Sequence, residues 1–263
     1  MNLESLIVRT ERGFMRRLPP GPVVWLNAQL HRRFGEPELH ELKRLVTPGS
    51  IAIDIGAHFG TFSYALARLV GTQGLVLSFE PIEEDADLIE RGMRFLRQPV
   101  NVHRYALSSQ SGTATIHIPY LHGSEKTALS SLEVTGAEPA GESRTVPVKT
   151  LDDVLAERGA DSRPVSFIKI DVEGHELSVL RGATHTLSTH RPNLLIEINT
   201  GDDAGHITDV FNLVTSLGYR GEFLESGQFR KPISAFDVER HQRATAGNEL
   251  SRDYVNNFIF LPE

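Results

Sequence analysis

IAIDIGAHFGTFSYALARLV, residues 51–70, reads as strand, glycine turn and helix. Ile51 to Ile55 is a short apolar run rich in β-branched residues, broken only by Asp54. Gly56 and Gly60 bracket the turn. Phe62, Ala65, Leu66, Leu69 and Val70 then recur at the spacing of one helical face. A glycine turn between a buried strand and a helix N-terminus lets a ligand approach the backbone. The N–H groups of the helix's first turn then face that ligand. This is a cradle of the nucleotide-binding kind.

The spacing of the turn narrows the ligand. A dinucleotide turn is G-x-G-x-x-G, arranged for a pyrophosphate. Here the pattern is Asp54-x-Gly56-x-x-x-Gly60, and His58 stands where the second glycine would fall. A carboxylate at Asp54 suits a cationic ligand better than a phosphate. S-adenosylmethionine, with a sulfonium and an amino group and no phosphate, fits that requirement.

The chain has 263 residues, 40% hydrophobic and 23% charged, which suits one globular domain with additions. Its net charge of −7 gives no default nucleic-acid surface, and nucleic acid is not an expected partner. The absence of cysteine removes disulfides, thiolate metal sites and cysteine nucleophiles. No stretch approaches the ~20 apolar residues of a membrane span. Met1 to Val8 is interrupted by Asn2, Glu4 and Ser5, unlike a signal-peptide core, so a cytoplasmic location is expected.

Residues 1–50 read as an N-terminal helical extension and 51–263 as the main domain. Arg9, Arg12, Arg16 and Arg17 form a basic cluster that Glu4 and Glu11 dilute into a solvated face. Leu18 to Pro22 reads as a turn or linker, and Pro37 to Val46 as a helix. Gly74 to Phe79 reads as a second buried strand, closed by Glu80 and Pro81. An acidic residue there is placed to accept hydrogen bonds from ribose hydroxyls. Glu80 reads alternatively as a cap for the next helix. A third strand near Val100 to Leu107 ends at Ala106, beside an adenine in this arrangement. Residues 111–149 read as an insertion that is irregular from 119 to 145, with strands at Thr113–Ile118 and Thr145–Lys149, suited to covering a substrate. Thr150-Leu151-Asp152-Asp153 opens a capped helix.

VSFIKIDVEGHE, residues 165–176, is the second chemical stretch. A strand to Ile170 delivers Asp171, Glu173, His175 and Glu176 to a strand end, where open parallel sheets bind ligands. An acidic helix N-terminus explains Glu173 and Glu176 readily but not His175. Leu177, Leu180, Ala183 and Leu187 mark the core face of the following helix. Asn193 to Asn199 is a further strand carrying Glu197. Phe223-Leu224 and Asn257 to Leu261 read as final strands, residues 225–252 as loop, and His241 as an exposed side chain.

The ordered set DIGAHFGTFS, SFEP, ALSSQSG, VKTLDDVL, FIKIDVEGHE and NNFIFLP resembles the FkbM family of S-adenosylmethionine-dependent methyltransferases, from about Ile51 to Pro262. The resemblance implies an α/β fold, a Rossmann-like, seven-stranded, mostly parallel sheet of the class I methyltransferase kind, with the last strand antiparallel. It implies S-adenosylmethionine contacts at Asp54, Gly56, Ala57, His58, Gly60 and Thr61, at Glu80 and Pro81, at Ala106 and at Asp171. His58 departs from the Asn that many relatives carry. Many members methylate hydroxyl groups on sugars, polyketides and related natural products. A small hydroxylated acceptor is therefore the expected partner, and an oligomer is allowed.

An aliphatic hydroxyl must lose its proton during attack, and a base with pKa near neutrality serves best. His175 leads, followed by Asp171 and then Glu173. Asp171, Glu173 and Glu197 are alternatively an oxygen set for Mg²⁺ or Ca²⁺ that would acidify the hydroxyl, although the spacing does not require a metal. Two other classes compete. An NAD-dependent oxidoreductase shares the fold but requires the missing glycine, and a non-catalytic cofactor-binding scaffold would not need His175.

Overall fold

The computed structural model describes residues 19–34, 36–121, 124–125, 132, 141–159, 163–199, 204–245 and 253–263. The arginine cluster at 9–17 lies outside them. Two helices precede the sheet, α1 (Pro20–Phe34) and α2 (Glu38–Leu45). The Pro-Gly-Pro run read as a linker starts α1 instead. Prolines in a first helical turn lose no hydrogen bond, because those N–H groups have no intrahelical acceptor.

The central sheet alternates strand and helix: β1 (Ile51–Ile55), α3 (Thr61–Val70), β2 (Leu75–Phe79), α4 (Glu83–Phe95) and β3 (Val100–His103). After a crossover come β8 (Val165–Ile170), α6 (Glu176–Arg181), α7 (Thr184–His190), β9 (Asn193–Glu197), α8 (Ala204–Ser216), β10 (Tyr219–Glu225), β11 (Phe229–Pro232), α9 (Val238–His241) and β12 (Asn257–Pro262). The order across the sheet is β11-β10-β12-β9-β8-β1-β2-β3. Strands β3, β2, β1, β8 and β9 run parallel, and β12 lies antiparallel between β9 and β10. The expected seven-strand arrangement is present. An eighth strand, β11, extends its edge within residues read as loop.

Side-chain alternation divides the core into two layers. Ile51, Ile53 and Ile55 point with Leu77 and Phe79 into the layer that includes Val179, Leu180 and Val210. Ala52, Val76 and Phe167 point the other way, against Leu42, Phe62 and Leu66 of α2 and α3. Asp54 falls on this second face. Its register partners are Ser78 on β2 and Lys169 on β8, so a polar row crosses three adjacent strands inside the core.

Between β3 and β8 the chain builds a smaller sheet, with β4 (Ala106–Leu107), β5 (Gly112–Leu121), β6 (Ser124–Glu125) and β7 (Gly141–Lys149) in the order β4-β7-β5-β6. The third strand therefore splits between two sheets. The insertion is more regular than expected: β5 pairs with β7 from Gly112–Val148 to Pro119–Gly141. Residues 122–123, 126–131 and 133–140 of the expected covering loop lie outside the described part. Helix α5 (Leu151–Glu157) follows, with the Asp153 N–H donating to Thr150 Oγ1 at 3.0 Å as the capping pattern implied. The helix expected through Leu187 breaks into α6 and α7 at Gly182, where an added Cβ would lie 2.0 Å from the Ser108 carbonyl oxygen. His241 is 2% exposed rather than on the surface; its ring stacks on Phe236. Among the described residues no helix is long and apolar enough to cross a membrane.

Gly56 has φ +79°, and a Cβ there would lie 1.8 Å from the Asp171 carbonyl oxygen. The glycine is required by the close approach of two protein turns, whatever it also permits a ligand. Gly49 has a similar φ of +80° but nothing within 4 Å of its would-be Cβ. Gly49→Ala should cost about 1–2 kcal/mol from backbone conformation alone. Gly56→Ala should cost a further ~1–3 kcal/mol from overpacking. Urea unfolding midpoints of the two variants measure the difference.

Candidate active site

Strand β1 is where the chain direction across the sheet reverses, with β2 on one side and β8 on the other. Crevices for ligands form at the carboxyl ends of strands at such a point. A cavity of about 250 Å³ opens there. Its lining includes Gly56 and His58 after β1, Glu80 and Pro81 after β2, and Asp171, Glu173 and His175 after β8. Glu197 enters from β9. Ala106, Leu107 and Ile116 of the small sheet supply an apolar wall, and Glu36 enters from the α1–α2 connection. The candidates at Asp54, Ala57, Gly60 and Thr61 are not among the lining residues.

The turn after β1 is held from within. The N–H groups of Gly56 and Ala57 donate to the Phe79 carbonyl at 3.0 and 3.1 Å, and that of Gly60 donates to Ala57 at 2.7 Å. The His58 N–H donates to Glu80 Oε2 at 2.8 Å. These four donors, which precede the helix, are therefore engaged within the protein. Thr61 Oγ1 accepts from Asn27 Nδ2 of α1 at 2.7 Å, which ties the N-terminal helix to the start of α3. Glu80 is buried, and its Oε1 accepts the Ile82 N–H at 2.9 Å beside the start of α4. Its carboxylate thus holds two backbone N–H groups of adjacent turns, and Glu80 lines the cavity.

Beneath the cavity lies the polar row. Asp54 is 1% exposed and accepts a hydrogen bond from Ser63 Oγ at 2.5 Å. Ser63 Oγ is also 2.7 Å from Ser78 Oγ. Burial pushes the Asp54 carboxyl up to about 6, against the opposing effects of Ser63 and Lys169. Lys169 is 1% exposed. Its Nζ lies 3.1 Å from Asp171 Oδ2, 3.4 Å from Glu197 Oε2 and 4.8 Å from the centre of the Phe62 ring. Burial works to lower its pKa, but Asp171, Glu197, Glu36 and Asp54 outweigh this and hold it above the usual range. The signal was available: a lysine inside the otherwise apolar strand VSFIKI must be paired.

Asp171 and Glu197, two of the three oxygen donors proposed for a divalent cation, thus already have a fixed cation beside them. Among the described residues no group of three His, Asp or Glu side chains is placed to hold a metal ion. Glu197 is held well above its usual range by burial and by Asp171, and Asn256 Nδ2 donates to its Oε1 at 2.7 Å. Glu173 sits at φ 47° in the tight turn after β8. Burial, then Asp171 and Glu176, push its pKa up to about 8. Glu176 closes the turn: its Oε1 accepts the Gly174 N–H at 2.9 Å, and its Oε2 lies 2.5 Å from His206 Nε2. His175 precedes α6 with its ring largely buried and its Nε2 2.8 Å from Ser108 Oγ.

A model of the methyltransferase FkbM domain matches residues 54–220. The hexuronic acid methyltransferase AglP of Haloferax volcanii is 29% identical over 160 residues, covering 60% of this chain and 60% of that protein. The methyltransferase sdnD of Sordaria araneosa is 32% identical over 153 residues, covering 49% of this chain and 59% of that protein. The alignments thus span about three fifths of the length of these curated relatives. Among solved structures, methyltransferase FkbM from Methylobacillus flagellatus KT superposes with a TM-score of 0.50 at 18% identity, over 95% of this chain and 57% of that one. The O-methyltransferase TomG from Streptomyces achromogenes gives 0.50 at 11% identity, over 91% and 89%. These two share the fold.

Replacing Lys169 with Met should destabilise the protein by about 1–3 kcal/mol at pH 8, because the half-buried Asp171 and Glu197 carboxylates lose a charged hydrogen-bond partner. The loss should shrink at pH 5, where Glu197, held above its usual range, takes up a proton more readily; thermal unfolding at the two pH values measures this. Glu173 has the opposite sign to an ordinary ion-paired carboxylate. Between its usual value of 4.5 and about 8, the native state keeps a proton that the unfolded chain releases. Stability from this group is therefore full below that window and declines as pH rises through it. Glu173→Gln should flatten the fall in melting temperature between pH 5 and pH 8.

Proposed function

Because the chain belongs to the FkbM methyltransferase family, we propose that it transfers a methyl group from S-adenosylmethionine to a hydroxyl on a sugar, polyketide or related natural product. The observation that carries this reading is the convergence of three motif positions, Gly56, Glu80 and Asp171, on one cavity at the carboxyl ends of β1, β2 and β8. The residues present fit the cofactor. Glu80 offers carboxylate oxygens where a ribose would present hydroxyls. Ala106, Leu107 and Ile116 provide an apolar wall for a flat base. Asp171, and Asp54 beneath it, give this end of the cavity the negative charge that a cationic methionine group requires. When bound, S-adenosylmethionine supplies an activated methyl group on a positively charged sulfur.

The protein's own contribution is alignment and proton removal. Positioning two reacting groups in a fixed geometry can contribute roughly 7–11 kcal/mol. Lys169 holds the Asp171 and Glu197 carboxylates in place beside the cavity. His175 takes the acceptor's hydroxyl proton as attack proceeds, with Ser108 orienting its ring. Asp171 is the second candidate for that proton. Glu173 ranks third, because with a pKa of about 8 most of it is protonated at neutral pH. The hexuronic acid methyltransferase relative supports a sugar-type acceptor.

Isothermal titration with S-adenosylhomocysteine, and separately with NAD, tests the cofactor. Saturable binding of the first alone is expected; binding of NAD alone would overturn the reading. Glu80→Gln should weaken S-adenosylhomocysteine binding by about tenfold or more, the usual effect of losing a hydrogen bond to a charged group. His175→Ala should leave that affinity nearly intact and lower turnover by about 10²–10⁴-fold. Unchanged turnover would remove His175 from the mechanism.

A further inference from the structure

The turn after β8 aims one side chain at a cost. Glu173 has φ 47°, a left-handed conformation that residues with a Cβ seldom adopt. Backbone strain of this kind persists where the side chain it directs has a task. The residue lines the cavity two positions before His175 and is half-buried rather than shut off. A brace holds it from behind. Tyr254 Oη donates to Asn199 Oδ1 at 2.8 Å, so the Asn199 amide turns its N–H₂ group outward as the donor. Asn199 in turn makes a side-chain hydrogen bond to Glu173. One Glu173 oxygen is thereby committed as an acceptor within the protein.

The surrounding charge decides what the other oxygen carries. Facing Glu173 are Asp171 in the same turn, Glu176 at the start of α6 with His206 of α8 against it, Lys169 on β8 and Glu197 on β9. His175 is also near in the chain, with its Nε2 engaged by Ser108. Burial, Asp171 and Glu176 act to keep the Glu173 carboxyl uncharged; Asn199 and Lys169 oppose them without prevailing. Lys169 is itself engaged by Asp171 and Glu197. A carboxyl group that keeps its proton has one O–H donor besides its acceptor oxygen. With the acceptor turned to Asn199, the O–H is what Glu173 offers the cavity. A donor on the reacting oxygen would hold back the lone pair that attacks the methyl group, so the contact belongs on a neighbouring oxygen.

Resting on the methyltransferase reading above, we propose that Glu173 is a specificity-determining residue whose carboxyl O–H donates a hydrogen bond to an oxygen on the carbon next to the methylated hydroxyl. The site thereby takes vicinally oxygenated acceptors, such as sugars, over singly hydroxylated ones. This is a different task from proton removal, which stays with His175.

The test uses the full chain and a panel of methyl hexosides with every monodeoxy derivative, with transfer of a radiolabelled methyl group as readout. Removing the neighbouring oxygen should lower wild-type kcat/KM about three- to tenfold, the range of one neutral hydrogen bond. Glu173→Ala should lower kcat/KM for the parent hexoside by a similar factor, through KM, and should no longer distinguish it from that deoxy form. Glu173→Gln keeps an N–H donor and an oxygen for Asn199, so at pH 7 it should lose only about two- to threefold. The direction of the hydrogen bond is read from pH. Glu173, with a pKa of about 8, gives up its O–H as pH rises from 7 to 9. The ratio of wild-type to Glu173→Gln kcat/KM should therefore fall roughly tenfold over that range, while groups common to both proteins cancel. A ratio that stays constant or rises overturns the donor role. An undiminished preference of Glu173→Ala for the parent over its deoxy forms overturns the contact. Either result leaves the methyltransferase reading in place. The S-adenosylhomocysteine affinity of Glu173→Gln should stay within about threefold of wild type; a larger loss puts the residue at the cofactor and overturns the assignment. Binding of S-adenosylhomocysteine with no transfer to any hexoside overturns the sugar-acceptor reading and this inference together. Failure of the wild-type protein to bind S-adenosylhomocysteine overturns the cofactor reading itself.

Discussion

The buried ammonium of Lys169 is the constraint around which the functional end of the sheet is organised. A charge this deep in a sheet survives only if it is paired and hydrogen-bonded. Asp171, just past the end of the same strand, and Glu197 on β9 meet that need, and Asp54 on β1 adds to it. Asp54 is in turn satisfied by Ser63, which joins the helix after the glycine turn to the same network. Removing any member leaves another buried polar group without compensation. Apolar packing therefore makes the sheet stable, while this polar row fixes which carboxylates reach the cavity and where they point.

The two tight turns beside the cavity are similarly interdependent. Gly56 has no Cβ because the Asp171 carbonyl occupies that space. The Asp171 N–H donates to the Ile55 carbonyl at 3.0 Å, so the turns after β1 and β8 are joined by a hydrogen bond as well as by contact. A motif residue that reads as a ligand contact can thus be set by protein packing. The same is true of Glu80, whose oxygens hold two backbone N–H groups.

What the sequence revealed depended on local periodicity. The β1–turn–α3 unit was legible because a β-branched run gives way to a helical stripe within one short stretch. Glu80 and Asp171 were legible because each follows such a strand. Lys169 is visible in VSFIKI as a charge inside an apolar strand, but its partner Glu197 lies on another strand and is brought to it only by the sheet. Glu36 and Asn27 give no periodic signal; only tertiary contact brings them to the cavity and to Thr61. Strand β7 has both faces of GESRTVPVK largely polar, so alternation does not mark it over its full length. The burial of His241 depends on Phe223 and Phe236, which a local reading does not bring to its ring.

The order in which the sheet closes has a consequence during synthesis. Strand β12 follows β10 and β11 in sequence, yet it belongs between β9 and β10. Until it leaves the ribosome, β9 lacks a partner on one side and β10 lacks its link to the rest of the sheet. Each then offers an unpaired backbone edge, the kind of surface that templates association with other chains. The missing strand carries Phe258, Ile259 and Phe260, all fully buried in the finished protein. A nascent chain halted before Asn257 would therefore be a strong candidate for chaperone capture, and late insertion of this strand is a natural point for the rate of productive folding to be set.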